Sequence, residues 1–247
     1  MRGEGQHDVR FEGKWDVMDF VLVHGTAQSP EGWDPLRESL ARRAHHSVVV
    51  DLPTEEPELT VGDYTRSAAD QVDGRVRHPV VVAHSGSGVL LPAIADAVGA
   101  AAMVWLAAYV PDFVGGRSLI EEIQDDPTAL FDPDWIGVNP VADHRAARRF
   151  LFHDCPDRTQ EWALGTLREF APAAVYGHGP VPERPGVEST FVLPTADRTL
   201  RPDWMRQAAV RRLGVRPREV DAGHCPHVCR PEATADILHG LRPGAPA

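Results

Sequence analysis

Lysine is all but missing from this chain of 247 residues: Lys14 is the only one, and arginine carries the rest of the basic charge. With 36 acidic side chains against 25 basic ones, the formal net charge is −11, which excludes the basic footprint of a nucleic-acid-binding surface. Cysteine is scarce as well. Cys155, Cys225 and Cys229 form an odd, sparse set that does not make a disulfide framework and points to a reducing cytoplasm. No apolar run is long enough to span a bilayer, and the polar stretch from Met1 to Asp19 lacks the apolar core of a signal peptide. The expectation is a cytoplasmic protein with no membrane or nucleic-acid partner. Its oligomeric state is left open, a homodimer among the options.

What is present fits one large domain. Hydrophobic residues make up 43% of the chain, no internal repeat divides it, and pattern begins at Met18. Residues 1–17 therefore read as an N-terminal extension to a single domain over 18–247. Short apolar runs, Phe20-Val21-Leu22-Val23, Ser47-Val48-Val49-Val50, Val80-Val81-Val82-Ala83, the run 101–106 and Thr190-Phe191-Val192-Leu193, read as strands, and Arg218-Glu219-Val220 leads into Asp221-Ala222-Gly223-His224. Helical patterns follow at 33–43, 61–76, 86–98, 202–212 and 231–241. Strand and helix alternating in this rhythm predict an α/β fold: a mostly parallel sheet of about six strands, with helices on both faces.

Between 109 and 186 the rhythm stops. That segment has no strand-like run, helical stretches only near 143–152 and 156–167, and many Pro, Asp and Gly residues. A long insertion between two strands of a parallel sheet predicts an inserted helical lid over a site. Its aromatics Phe131, Trp135, Phe150, Phe152, Trp162 and Phe170 divide between packing the lid on the body and lining an apolar pocket.

The chemistry gathers around Ala83-His84-Ser85-Gly86-Ser87. A strand that runs into a sharp turn and then a helix needs small residues two places before and after its apex, here Ala83 and Ser87. The turn would present Ser85 at the carboxyl edge of the sheet, beside the unpaired amides of a helix start. Alone, the motif has a second reading as a small-residue loop after a core strand. Asp197 and His224 follow at later strand ends, and ligands of open α/β sheets bind outside those ends. A serine hydroxyl needs an imidazole to take its proton, and the imidazole needs a carboxylate to orient it. The chain order Ser85, Asp197, His224 is the order that α/β-hydrolases use.

The chain thus resembles the α/β-hydrolase superfamily, within it the plant methyl esterases, hydroxynitrile lyases and their bacterial esterase relatives. The resemblance is carried by Phe20-Val21-Leu22-Val23-His24-Gly25, the Ser85 turn, Ala107-Ala108-Tyr109-Val110-Pro111, Phe152-His153-Asp154-Cys155, Asp197-Arg198 and Gly223-His224-Cys225-Pro226-His227. It covers nearly everything from 18 to 241. It implies Ser85 as nucleophile, His224 as base and then acid, Asp197 as the orienting acid, and the backbone N–H groups of Thr26 and Gly86 as oxyanion hole. It implies a serine hydrolase acting on an ester or thioester of a small, mainly apolar molecule, with no cofactor. His24, His84, Tyr109 and Trp135 are candidates for the substrate pocket, with structural hydrogen bonds the other reading of the two histidines. Asp112, after the preceding strand, is an alternative acid.

Other readings stay open. A lyase or cyclase of small-molecule biosynthesis can use the same triad as acid and base, and a binding protein can keep the pocket without turnover. His224, His227, Cys225 and Cys229 fit no standard zinc spacing, so no metal is expected. Hydroxynitrile lyases of the resembling group carry a lysine after the histidine and a threonine after the first strand's histidine. This chain has Cys225 and Gly25 there, so no cyanohydrin cleavage is expected, with Gly25 leaving room for a substrate carbonyl.

Overall fold

The computed structural model describes residues 17–56, 58–179 and 186–243. Most of the expected N-terminal extension, residues 1–16, lies outside them. The described chain runs β1 (Asp19–Val23), α1 (Asp34–Arg42), β2 (His46–Val50), α2 (Val61–Val72), β3 (Val80–His84), α3 (Leu91–Ala97) and β4 (Ala102–Leu106). Short helices follow: α4 (Leu119–Asp125), α5 (Pro127–Leu130), α6 (His144–Phe150), α7 (Asp157–Leu164) and α8 (Ala173–Tyr176). The chain then forms β5 (Glu188–Pro194), α9 (Pro202–Ala208), β6 (Arg218–Val220), α10 (Pro226–Cys229) and α11 (Pro231–His239).

All six strands are parallel, in the order β2-β1-β3-β4-β5-β6. Alternation along each strand builds a core on each face of the sheet. Val21, Val23, Val81, Ala83, Met103, Trp105, Phe191 and Leu193 meet Tyr64, Ile94 and Met205 on one side. Phe20, Leu22, Val80, Val82, Val104, Leu106 and Val192 meet Leu36, Leu40 and Leu238 on the other. Both faces are covered, which is why these strands read as unbroken apolar runs. The strand order reverses between β1 and β3, and a doubly wound sheet opens a crevice at such a reversal. The carboxyl ends that meet there carry Thr26 and Ser85.

Several elements depart from the sequence-based expectation for local reasons. The helix expected over 86–98 is a 3-10 turn, Ser85–Val89, followed by α3 with Pro92 in its first turn. The helix expected to reach 76 stops at Val72, because Gly74 turns the chain with φ +66°. The one expected over 202–212 is α9 followed by a π-helical turn, Ala209–Leu213. Residues 109–179 hold more helix than periodicity indicates. Ser118 forms a capping box with Glu121 at the start of α4, and Asp126 caps α5.

The cysteine expectation is corrected. Cys155 and Cys229 form a disulfide across a sequence separation of 74, and Cys225 is the free, buried thiol. Three cysteines do hold a cross-link, because the fold brings the start of α7 against α10. The argument from cysteine count for a reducing cytoplasm falls with it.

Candidate active site

Ser85 stands at the end of β3 with φ +54°, a left-handed conformation that a residue with a Cβ adopts at a cost. The surroundings hold it there. Gly88 packs so closely under the loop after β4 that a Cβ would lie 1.9 Å from the Tyr109 carbonyl oxygen. Ser87 donates its hydroxyl to the His24 carbonyl oxygen at 2.6 Å, and Tyr109 N–H donates to the Ser85 carbonyl oxygen at 3.0 Å. Ala83 is fully buried.

The structure brings Ser85, Asp197 and His224 together. The His224 Nε2 accepts from the Ser85 hydroxyl at 3.0 Å, and Nδ1–H donates to Asp197 Oδ2 at 2.8 Å. The other Asp197 oxygen accepts backbone N–H groups from Thr199 at 2.7 Å and Leu200 at 3.1 Å. That carboxylate is therefore aimed from both sides. Asp112 is not in this chain of contacts; its carboxylate accepts the Gly115 N–H and closes a turn.

Of the two readings of His24 and His84, pocket lining or structural hydrogen bonds, the structure favours the second: both are fully buried and neither lines the cavity. Burial holds the His84 imidazole well below the usual histidine range, so it is neutral. It donates to the His224 carbonyl oxygen through Nε2 at 2.9 Å, which leaves Nδ1 to the Gln28 side-chain amide at 2.9 Å. The same amide reaches Cys225 Sγ at 3.1 Å. Burial, with the Asp197 charge second, pushes the Cys225 thiol up, so it stays protonated beside His224. His24 is brought down to about 4 by burial, and its Nε2 accepts from Leu52 N–H at 3.2 Å. These neutral imidazoles hold the loops that carry the site.

A cavity of about 220 Å³ opens on Ser85 and His224. Thr26, Gly86 and Leu200 contribute from the body, and Tyr109, Leu119, Phe131, Trp135, Leu151 and Tyr176 from residues 109–179. That segment thus lies over the serine. Tyr109 and Trp135 line the cavity as expected, and so does Phe131; Phe150 packs against Trp135 with ring centroids 5.4 Å apart, and Phe152 is fully buried. Trp162 is partly exposed. Gly86 opens the 3-10 turn, whose first amides lack partners within the turn. Gly25 does not leave room for a substrate carbonyl, as the sequence suggests. A Cβ there would meet His84 Nδ1 at 2.7 Å and Ser85 Cβ at 2.9 Å, so the space belongs to the serine turn itself.

Sequence reasoning missed Gln28 and Tyr176, and it missed the acid–base pair Glu122–Arg212 behind Tyr109. Each acts across a long sequence gap and leaves no periodic trace. Donor atoms of Asp154, Cys155 and Cys229 lie within 4.8 Å of one another, but both sulfurs are spent in the disulfide.

By sequence, no curated protein matches the chain. Among solved structures, polyneuridine aldehyde esterase is similar with a TM-score of 0.74 at 18% identity, over 90% of this chain and 97% of that one. A pyrethroid hydrolase from Sphingobium faniae JZ-2 gives 0.68 at 18%, over 90% and 96%. Tomato methylketone synthase I, in a variant bound to beta-ketoheptanoate, gives 0.68 at 12%, over 90% and 95%. At these identities the likeness is one of fold. The model of the alpha/beta hydrolase family matches residues 20–237, nearly the whole described chain. With that match the fold and the sequence agree: the chain belongs to the alpha/beta hydrolase family, and it is an enzyme of the hydrolase type.

Proposed function

We propose that the protein cleaves an ester or thioester of a small, mainly apolar molecule through an acyl-enzyme on Ser85. The observation that carries this reading is the unbroken chain from Ser85 Oγ through the His224 ring to Asp197, at 3.0 and 2.8 Å. The Ser85 oxygen attacks the substrate carbonyl carbon while His224 Nε2 takes its proton. The tetrahedral oxyanion is received by the backbone N–H groups of Thr26 and Gly86. His224 returns the proton to the departing alcohol or thiol, leaving an ester on Ser85. Water, deprotonated by the same nitrogen, then releases the acid and restores the hydroxyl. Asp197 keeps the imidazole in the tautomer this requires, and no cofactor takes part.

The cavity lies below the range typical of drug-sized ligands, and aliphatic and aromatic side chains dominate its lining. Both features favour a short apolar acyl or alcohol group. A protein named a methylketone synthase shares this fold, and one fold can host chemistry other than ester cleavage. A lyase acting on cyanohydrins is disfavoured here by Cys225, which is buried and neutral where an ammonium would be needed. Among the described residues no helix is long and apolar enough to cross a membrane.

A fluorophosphonate tests the reading. One phosphonyl group should add at Ser85, and Ser85→Ala should lose labelling and turnover of a p-nitrophenyl or thioester panel by several orders of magnitude. An alanine variant that keeps most of its activity would remove the acyl-enzyme from the mechanism.

A further inference from the structure

Tyr176 ends α8, within the segment that covers the serine, and lines the cavity. It bonds the Thr26 hydroxyl at 2.5 Å, across a sequence separation of 150. Both oxygens crowd the same point: a Cβ built on Gly86 would lie 2.4 Å from Thr26 Oγ1 and 2.4 Å from the Tyr176 hydroxyl oxygen. Gly86 is therefore a glycine because two hydroxyls occupy the place of its side chain. Those hydroxyls flank the two backbone amides, of Thr26 and Gly86, assigned to the oxyanion above.

Proton accounting gives the pair a use. Each hydroxyl carries one proton, and a single bond between them consumes one of the two. Whichever oxygen donates to the other, one O–H remains, and Thr26 and Tyr176 both face the cavity shared by Ser85 and His224. Burial raises the Tyr176 phenol to about 12, so the pair keeps both protons across the working range of an enzyme.

We infer that the Thr26–Tyr176 hydroxyl pair supplies a third hydrogen-bond donor to the substrate oxygen as it becomes an oxyanion. The inference rests on the acyl-enzyme reading of Ser85. The phenol polarises the threonine hydroxyl, or donates itself, toward charge that develops only in the tetrahedral state. The oxyanion site is then complete only with α8 seated, because one of its members belongs to the covering segment. No bond to Tyr176 is made or broken, and no proton leaves the pair.

Tyr176→Phe and Thr26→Val each remove one hydroxyl, and the valine keeps the backbone N–H. Each should lower kcat for p-nitrophenyl butyrate by about 10- to 100-fold, since a single oxyanion donor contributes on that scale, with KM changed less than about threefold. Each single variant keeps one O–H that its lost partner no longer aims, whereas the double variant keeps none, so the double should be the weakest of the three yet fall short of the product of the two single losses. Affinity for a trifluoromethyl ketone, which forms the charged adduct on the serine, should fall in step with kcat. Binding of the corresponding uncharged amide should not. Tyr176→Phe with wild-type kcat, or with its loss confined to KM, would overturn the inference, as would two single losses that multiply. Fluorophosphonate separates the two levels: an unreactive wild type removes the acyl-enzyme reading, whereas wild type and Tyr176→Phe reacting equally fast removes only the third donor.

Discussion

The Glu122 carboxylate on α4 and the Arg212 guanidinium on the π-helical turn after α9 meet at 2.9 Å, with both side chains largely buried. Tyr109, which lines the cavity, donates its hydroxyl to the other Glu122 oxygen at 2.8 Å. Arg212 also donates to the Val110 carbonyl oxygen at 2.6 Å and lies over the Tyr109 and Trp204 rings. The covering segment is thus fastened to the body by a desolvated charge pair.

Breaking that pair from one side should therefore cost more than deleting it. Arg212→Ala strands a buried carboxylate and should lower unfolding free energy by about 3–5 kcal/mol. The double variant Arg212→Met with Glu122→Gln should recover most of the loss. Urea midpoints of the three proteins decide it, and a change below about 1 kcal/mol for Arg212→Ala would show that the pair anchors nothing.

Asp197→Asn should leave the fold nearly intact, because an amide oxygen can still accept the N–H groups of Thr199 and Leu200. Its NH2 would then face His224 Nδ1 and select the tautomer that cannot take the serine proton. Activity should fall by about 10⁴-fold. Asp112→Asn, which disturbs one turn bond to Gly115, should change it little. Steady-state rates with matched circular dichroism spectra would expose a reversed assignment.

Acid should unfold the protein early, through buried histidines. Burial brings His24 to about 4 and His227 to about 3, and it holds His84 well below its ordinary value. A histidine whose folded pKa is depressed binds its proton first in the unfolded chain. Stability is therefore fully present above about pH 6.5 and falls as pH drops toward the folded values, by about 1.4 kcal/mol per pH unit for each such ring. His227 has both ring nitrogens buried without a partner and lies against Trp33 and His84. His227→Phe should flatten the decline between pH 6 and 4; an unchanged slope in acid titrations followed by tryptophan fluorescence would contradict this.

Ellman's reagent in denaturant should titrate Cys225 alone before reduction and all three cysteines after it. Replacing Cys155 and Cys229 by alanine should lower stability by about 4 kcal/mol, the loop-closure value for a separation of this size. Three thiols without reductant would mean that the bond does not form in solution.

What could be read in the sequence was what local pattern encodes. Val80 to Ala83 is a buried parallel strand, buried strands are unbroken apolar runs, and a serine between small residues at such a strand's end marks the turn. Asp197 was legible because it follows an apolar strand, and His224 because it comes after Asp197, beyond a further short and charged strand. Tyr176 was not: α8 spans four residues, too few for a period, and its partner Thr26 lies 150 positions away. The disulfide was illegible for a related reason. Cysteine count limits possible pairings, but only the docking of α7 against α10 decides which pair is close. For His24 and His84 the choice between pocket lining and structural hydrogen bonds was not legible, because sequence puts them beside the site without saying on which side of the backbone.

The disulfide closes residues 155–229 into a covalent ring. Tyr176, Asp197 and His224 belong to that ring, whereas Thr26, Ser85 and Gly86 lie on the open chain before it. The proposed proton-handling machinery and the proposed acyl-bearing machinery are therefore different topological objects. A backbone cut anywhere inside the ring leaves a linear but still continuous molecule, held through sulfur, with every group of the site aboard. A cut between Ser85 and Cys155 leaves the nucleophile joined to its base by non-covalent contact alone. Tolerance of scission should consequently change abruptly at residue 155, a boundary drawn by chemistry and not by any division of the fold.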